Sequence, residues 1–264
     1  MDLPRQWLIP PTAQDIRQAA ERLRGRVTDT PVLTSGTLDD LAGARLAFKC
    51  EQLQKTGAFK YRGASHALLT LPADRATRGV ATHSSGNHGA ALACAARSAG
   101  VPAFIVVPSN VSPAKLANIK RYGGVVRLCT PTLAAREITL NEVVAETGAT
   151  FVHPYDNTAV IAGQGTATLE LIERAGPLDA VVTPVGGGGL LAGAALAAGP
   201  GVEVYGAEPL GADDAARSFA AGSRVAEQTP ETICDGLRTL LGELNFDVIA
   251  RRCTAILTVS DAEV

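Results

Sequence analysis

The chain has 264 residues, enough for one large domain or two modest ones, and its 46% hydrophobic and 19% charged content suits a buried core and excludes general disorder. Lysine and arginine total 24 against 26 acidic residues, so the net charge of -2 offers no basic excess for a nucleic-acid or anionic-membrane binder. The 27 glycines beside only 4% aromatics point to tight loops approached closely by backbone or ligand.

In chain order, the N-terminal MDLPRQWLIPP lacks the long apolar run of a secretory signal. A first strand is expected over 46–50, where Leu46, Phe48 and Cys50 alternate with Ala47 and Lys49. Buried strands follow over 79–83, 103–107, 125–129, 180–184 and 203–207. Between them, 88–99, 114–122, 132–146, 163–174 and 190–198 carry helical spacing. Gly100 and Gly123 sit where left-handed helix ends belong, and Ser112-Pro113 forms an N-cap and first-turn pair. This alternation predicts α/β architecture with parallel sheet and helices on both faces. The uncharged stretch 180–202 could pass for a membrane span by length. Nine of its residues are Gly or Pro, so it reads as strand, loop and helix. The scattered cysteines Cys50, Cys94, Cys129, Cys234 and Cys253 show no CxxC spacing and read as reduced thiols of a cytoplasmic protein.

Ligands of open α/β sheets gather at strand-to-helix turns, and three turns here are unusual. The first, 55–64, reads KTGAFKYRGA. The chain has only five lysines, and Lys60 stands at a helix mouth beside glycines. Lysine can lose its proton and form a Schiff base with a carbonyl, which a guanidinium cannot; a solvated surface lysine is the alternative. The second, Ser84-Ser-Gly-Asn-His-Gly89, could cradle an anion at a helix N-terminus or merely cap that helix. The third, Gly186-Gly-Gly-Gly-Leu190, lets successive amides point into one cavity ahead of a helix, which makes a phosphate site. Gly187-x-Gly189-x-x-Ala192 followed by Glu208 also satisfies a dinucleotide fingerprint, so a nicotinamide-dependent dehydrogenase is a rival, though one that leaves Lys60 and Asn87 idle. No Walker A sequence is present.

A lysine for Schiff-base chemistry, a phosphate cup and an anion-binding turn together suit pyridoxal phosphate. The stretches KTGAFKYRGA (55–64), THSSGNHGAALA (82–93), HPYDNTAVIAGQGT (153–166), PVGGGGLLAG (184–193), GAEPLGADD (206–214) and ETICDGL (231–237) resemble, in order, the threonine/serine dehydratase and serine racemase family of fold type II pyridoxal-phosphate enzymes. The resemblance implies a tryptophan-synthase-β-like fold of two parallel αβα sandwich domains. Residues 1–72 and 158–264 would form the large domain and 73–157 the small one.

It further implies that Lys60 carries the cofactor and takes the substrate α-proton, with Ser85 facing it across the cofactor plane. Asn87 would contact the ring hydroxyl, and Gly186, Gly187, Gly188, Gly189 and Leu190 the phosphate. Ser84, Ser85, Asn87, His88 and Arg136 would line the substrate. Glu208, the Ala212 carbonyl and Asp214 match a divalent-cation site suited to Mg2+ or Ca2+; on their own, the two acids could simply complement a helix dipole. The implied activity is a cytoplasmic ammonia-lyase, most simply a homodimer, converting L-threonine or L-serine to 2-oxobutanoate or pyruvate and ammonia. A serine racemase or a hydroxyaspartate ammonia-lyase would use the same residues. Similar enzymes continue beyond the position of Val264 to a residue that contacts the pyridine nitrogen. Without that segment an apolar patch is expected at the surface, and a binding or structural remnant is the non-enzyme alternative.

Overall fold

The computed structural model describes residues 9–264, so the expectation about a secretory signal falls almost wholly outside the described residues. The chain runs α1 (Ala13–Leu23), β1 (Val32–Leu33), α2 (Gly36–Ala42), β2 (Phe48–Lys49), α3 (Lys60–Leu69), α4 (Ala73–Ala76), β3 (Val80–Thr82) and α5 (Asn87–Ala99). It continues through β4 (Ala103–Pro108), α6 (Pro113–Arg121), β5 (Val125–Cys129), α7 (Leu133–Thr147), β6 (Thr150–Phe151) and α8 (Thr158–Ala175). The last elements are β7 (Ala180–Pro184), α9 (Gly189–Ala198), β8 (Glu203–Pro209), α10 (Asp214–Ala221), α11 (Glu243–Arg252) and β9 (Ala255–Val259).

Two parallel sheets result, β5-β4-β3-β6 and β7-β8-β9. The α/β architecture is as expected. The strand expected over 46–50 is not part of either: only Phe48 and Lys49 are extended, paired antiparallel with β1. The chain turns at once into a helical turn from Glu51, which ends the pairing. Gly100 and Gly123 adopt φ of 71° and 87°, and the Ser112 hydroxyl caps α6 by accepting from Lys115 N–H at 3.4 Å. Among the described residues no helix is long and apolar enough to cross a membrane.

The layers meet through glycines. A Cβ on Gly163 of α8 would lie 2.6 Å from the Gly63 Cα of α3, and one on Gly193 of α9 would lie 2.6 Å from the Gly165 nitrogen. Side chains at these crossings would force the helices apart. This contact sets α3 and α9 on either side of α8, and with them Lys60 and the glycine run that ends β7. One face of β7-β8-β9 is open, with Val182 61% and Leu257 51% exposed.

Candidate active site

Lys60 opens α3 after a turn that carries a conformational cost. Thr56, at φ 66°, is the only non-glycine with positive φ among the described residues, and Gly57 follows at 76°. Gln54 locks the turn: its Oε1 accepts from Thr28 and Lys55 N–H at 2.8 and 3.0 Å, and its Nε2 donates to Thr28 O at 2.7 Å. Lys60 keeps part of its surface open, yet protein crowds its amine, which donates to Pro154 O at 2.9 Å and lies 5.3 and 5.8 Å from the Phe59 and Tyr155 ring centres. Burial lowers its pKa to about 8, so the amine loses its proton far more readily than a surface lysine. The alternative of a solvated lysine does not describe this side chain.

The second turn lies between β3 and α5. No side chain caps α5, so its first amides are not taken by Ser84, Ser85 or Asn87. That removes the simple capping explanation and leaves a positive helix end open to an anion. Ser84 and Ser85 are half-buried and Asn87 is exposed. Gly89 is required for the fold of the turn, since a Cβ there would sit 2.0 Å from Ser84 O. His88 is buried; one ring nitrogen contacts Val152 O at 3.3 Å and the other has no partner. Burial, then the Lys60 charge, holds its pKa well below the usual histidine value. His88 and Lys60 thus meet the same segment two residues apart, at Val152 O and Pro154 O.

The third turn runs Gly186–Gly188 into α9, which also lacks a side-chain cap. A Cβ on Gly187 would lie 2.3 Å from the Tyr155 ring, and Gly188, at φ 88°, has Leu241 and Asn245 at 2.6 and 2.9 Å from its Cβ position. Only glycine fits at either. Leu190 is half-buried at the mouth. This cradle of bare backbone at a helix N-terminus fits a phosphate monoester, and with Lys60 it fits pyridoxal phosphate.

Several residues around these turns were not singled out from the sequence. His83, His153 and Tyr155 form an aromatic wall: His153 packs edge-on to Tyr155 at 4.6 Å and to His83 at 6.2 Å. The His153 Nδ1 accepts from Asp156 N–H at 2.8 Å, which leaves Nε2 as the protonated nitrogen of a neutral ring. Burial, then His83 and Lys60, holds its pKa down at about 3. The Thr239 hydroxyl stands 3.2 Å from the Cβ position of Gly186. The stretch HPYDNT was the available signal for His153 and Tyr155, whereas Thr239 and Asn245 lie in a segment with no expected element.

Arg136 lies on α7, half-buried, with its Nε buried and unpartnered. Its charge reaches His83, but no contact places it against the aromatic wall, Lys60 or the glycine cup. Glu208 and Asp214 do come together, both with no exposed surface, and the buried Ala212 lies between them in sequence. Glu208 accepts from Ala215 and Ala216 N–H at 3.2 and 2.9 Å; Asp214 accepts from Leu241 N–H at 2.7 Å and Gln228 Nε2 at 2.5 Å. Burial, with Asp214 and Asp213 adding, raises the Glu208 pKa to about 8. The Arg217 charge reaches Asp214 but makes no ion pair with it, every carboxylate oxygen of the two acids already accepts a hydrogen bond, and among the described residues no third acid, histidine or cysteine joins them. Glu208 is sealed from any ribose, which removes the support for a dinucleotide at this turn.

Comparison with known proteins points to one family. The family described as "Pyridoxal-phosphate dependent enzyme" matches residues 23–264. The serine racemase of Dictyostelium discoideum is 46% identical over 259 residues, spanning 96% of this chain and 80% of the relative. The beta-hydroxyaspartate dehydratase of Paracoccus denitrificans is 46% identical over 257 residues, spanning 96% and 82%. The crystal structure of a threonine deaminase from T.th. superposes with a TM-score of 0.90 at 45% identity, covering 96% of this chain and 83% of that one.

Proposed function

The chain belongs to the pyridoxal-phosphate-dependent enzymes, in their fold type II branch, and from that membership we propose that it removes the α-proton of a small β-hydroxy amino acid as a serine racemase or 3-hydroxyaspartate ammonia-lyase. The similarity to a serine racemase and a hydroxyaspartate dehydratase supports this activity over the dehydration of threonine expected first from the sequence. Threonine or serine ammonia-lyase activity is the second reading, supported by the likeness to a threonine deaminase.

The observation that carries the proposal is the Lys60 amine, crowded by protein and poised near pKa 8 beside two uncapped helix N-termini. When bound, pyridoxal phosphate supplies a carbonyl for that amine and an electron sink for charge left at Cα. Gly186 to Leu190 would hold its phosphate and Asn87 its ring hydroxyl. Ser84, Asn87 and His88 would bind the substrate carboxylate with the α5 amides, whose dipole favours an anion. Lys60, desolvated and with its pKa lowered to about 8, would be the base for the α-proton. Ser85 would hold or return a proton on the opposite side, which is what racemisation requires and elimination does not. Arg136 would border the substrate from the α7 side. Glu208, the Ala212 carbonyl and Asp214 would take Mg2+ or Ca2+, residues 73–157 would form the small domain, and the active form would be a homodimer.

The test is direct. Cofactor-loaded protein is given L-serine and, separately, L-threo-3-hydroxyaspartate, and both D-serine and 2-oxo acid are quantified beside a Lys60→Ala control. D-serine from L-serine, or 2-oxo acid from L-threo-3-hydroxyaspartate, absent in the control, is the expected result; 2-oxo acid from L-serine alone would favour the second reading. A loaded, folded protein inert toward both while deaminating L-threonine would reverse the order of the two readings.

A further inference from the structure

The Gly187–Gly188 peptide has glycine on both sides, so nothing steric on its own side chains stops it from turning over. Its orientation matters, because a carbonyl oxygen facing a phosphate repels it and an amide N–H attracts it. In the structure the Gly187 oxygen accepts two hydrogen bonds from one direction: Asn245 Nδ2 at 2.6 Å and Gly242 N–H at 3.2 Å. A trans peptide points its N–H opposite to its C=O. Pinning the Gly187 carbonyl toward α11 therefore turns the Gly188 N–H the other way, away from α11.

Asn245 is built for this task. It has no exposed surface, and its Nδ2 donates a second time, to Tyr155 O at 3.2 Å. Two carbonyl acceptors fix which end of the amide is nitrogen. Its Oδ1, by contrast, is buried without a partner, so the residue is held for its donors. The start of α11 is itself anchored, since the Asp156 carboxylate accepts from Glu243 and Leu244 N–H at 3.0 and 2.9 Å. Tyr155, Asp156, α11 and Gly187 thus close a ring of hydrogen bonds behind the cup.

We propose that Asn245 is a positioning residue of the phosphate cup, holding the Gly187 carbonyl turned away so that the Gly188 amide faces the phosphate of the cofactor. The proposal rests on the assignment of Gly186 to Leu190 as that phosphate site. It separates from a purely structural role by the choice of ligand. Pyridoxal shares the ring and carbonyl of pyridoxal phosphate and lacks only the phosphate.

Full-length Asn245→Ala is titrated with each compound, and binding is followed by the visible absorption of the lysine-bound form. Affinity for pyridoxal phosphate should fall about tenfold, the worth of one or two directed hydrogen bonds. Affinity for pyridoxal should stay within about twofold. Equal losses for the two compounds, or no loss, would overturn the proposal. Unmodified protein that does not prefer pyridoxal phosphate to pyridoxal would overturn the phosphate assignment itself. Should the variant fail to fold, unmodified protein labelled with 15N-glycine is titrated with inorganic phosphate. The Gly188 amide signal should shift with Gly189; a shift at Gly189 that leaves Gly188 unmoved would overturn the inference.

Discussion

Lys60 joins two properties that oppose each other on a surface lysine: it sits where a ligand can reach, and its charged form is disfavoured. Burial is the cause of the second, lowering the pKa to about 8. At pH 7 roughly a tenth of the amine is then neutral, against well under a thousandth for an ordinary lysine. Capture of a carbonyl needs the neutral form. The rate of pyridoxal phosphate capture by cofactor-free protein should therefore rise about tenfold per pH unit below pH 8 and level off above it. Stopped-flow absorbance across pH 6–9 checks this; a rate still climbing steeply at pH 9 would show that Nζ is not desolvated. The His153 ring, held at about 3, stays neutral across that interval, and burial disfavours the charged form of His88 as well.

At the scale of elements, α3 depends on a charge it buries. Arg62, two residues after Lys60, has no exposed surface. Its guanidinium is gripped on two edges, by Glu170 at 2.6 and 2.7 Å and by Glu51 at 2.8 and 2.8 Å, while Lys49 meets Glu170 at 2.7 Å. The cluster ties α3 to α8 and to the turn after β2. Arg62→Ala should cost about 3–5 kcal/mol, because Glu51 loses its cationic partner and Glu170 keeps only Lys49. Arg62→Lys should recover only part of that, since one ammonium cannot replace a planar fork with two bidentate partners. Urea denaturation of the three proteins decides it, and near-equal midpoints for Arg62→Lys and the parent would show that charge alone suffices.

The same elements explain what the sequence made legible. Parallel strands of β-branched residues between alanine-rich helices announce themselves by pattern, as do the three turns. Residues 61–68 of α3 are all buried, so the helix has no polar face and no period to find, and Phe59 before it makes no side-chain cap. The N-terminus of α11 is capped by Asp156, distant in sequence, so no local residue marks where it begins. Asn245 acts on Gly187 across a similar distance. By contrast α1 carries a local signal, the Thr12–Asp15 capping box ahead of an amphipathic run, and was legible though not expected.

For the whole molecule, buried ionisable groups set how stability should vary with pH when cofactor and cations are removed. Glu208 has its folded pKa raised from 4.5 to about 8, so between those values the folded state holds a proton that the unfolded state has released. Its contribution to stability is therefore present below pH 4.5 and is lost as pH rises toward 8. The lowered histidines act in the opposite sense, but only below 6.5, where the unfolded chain begins to bind their protons. Between pH 6.5 and 8 Glu208 acts largely unopposed, and one proton of difference costs about 2 kcal/mol across that span. Between pH 8 and 9 Lys60 reverses the slope, because the folded state has lost a proton that the unfolded chain keeps; from pH 9 the buried Cys253 thiol, and from pH 10 the Tyr155 hydroxyl, both pushed up to about 12, act in the opposite sense and end the rise. Chelator-treated, cofactor-free protein should thus pass through a stability minimum near pH 8. Glu208→Gln should remove the falling limb, and Lys60→Ala the rising one. If the cation proposed for Glu208 and Asp214 binds there, millimolar magnesium or calcium should also abolish the falling limb, because it would keep both acids ionised in the folded state. Urea midpoints at half-unit pH steps measure it, and a falling limb that survives Glu208→Gln would assign the proton to another group.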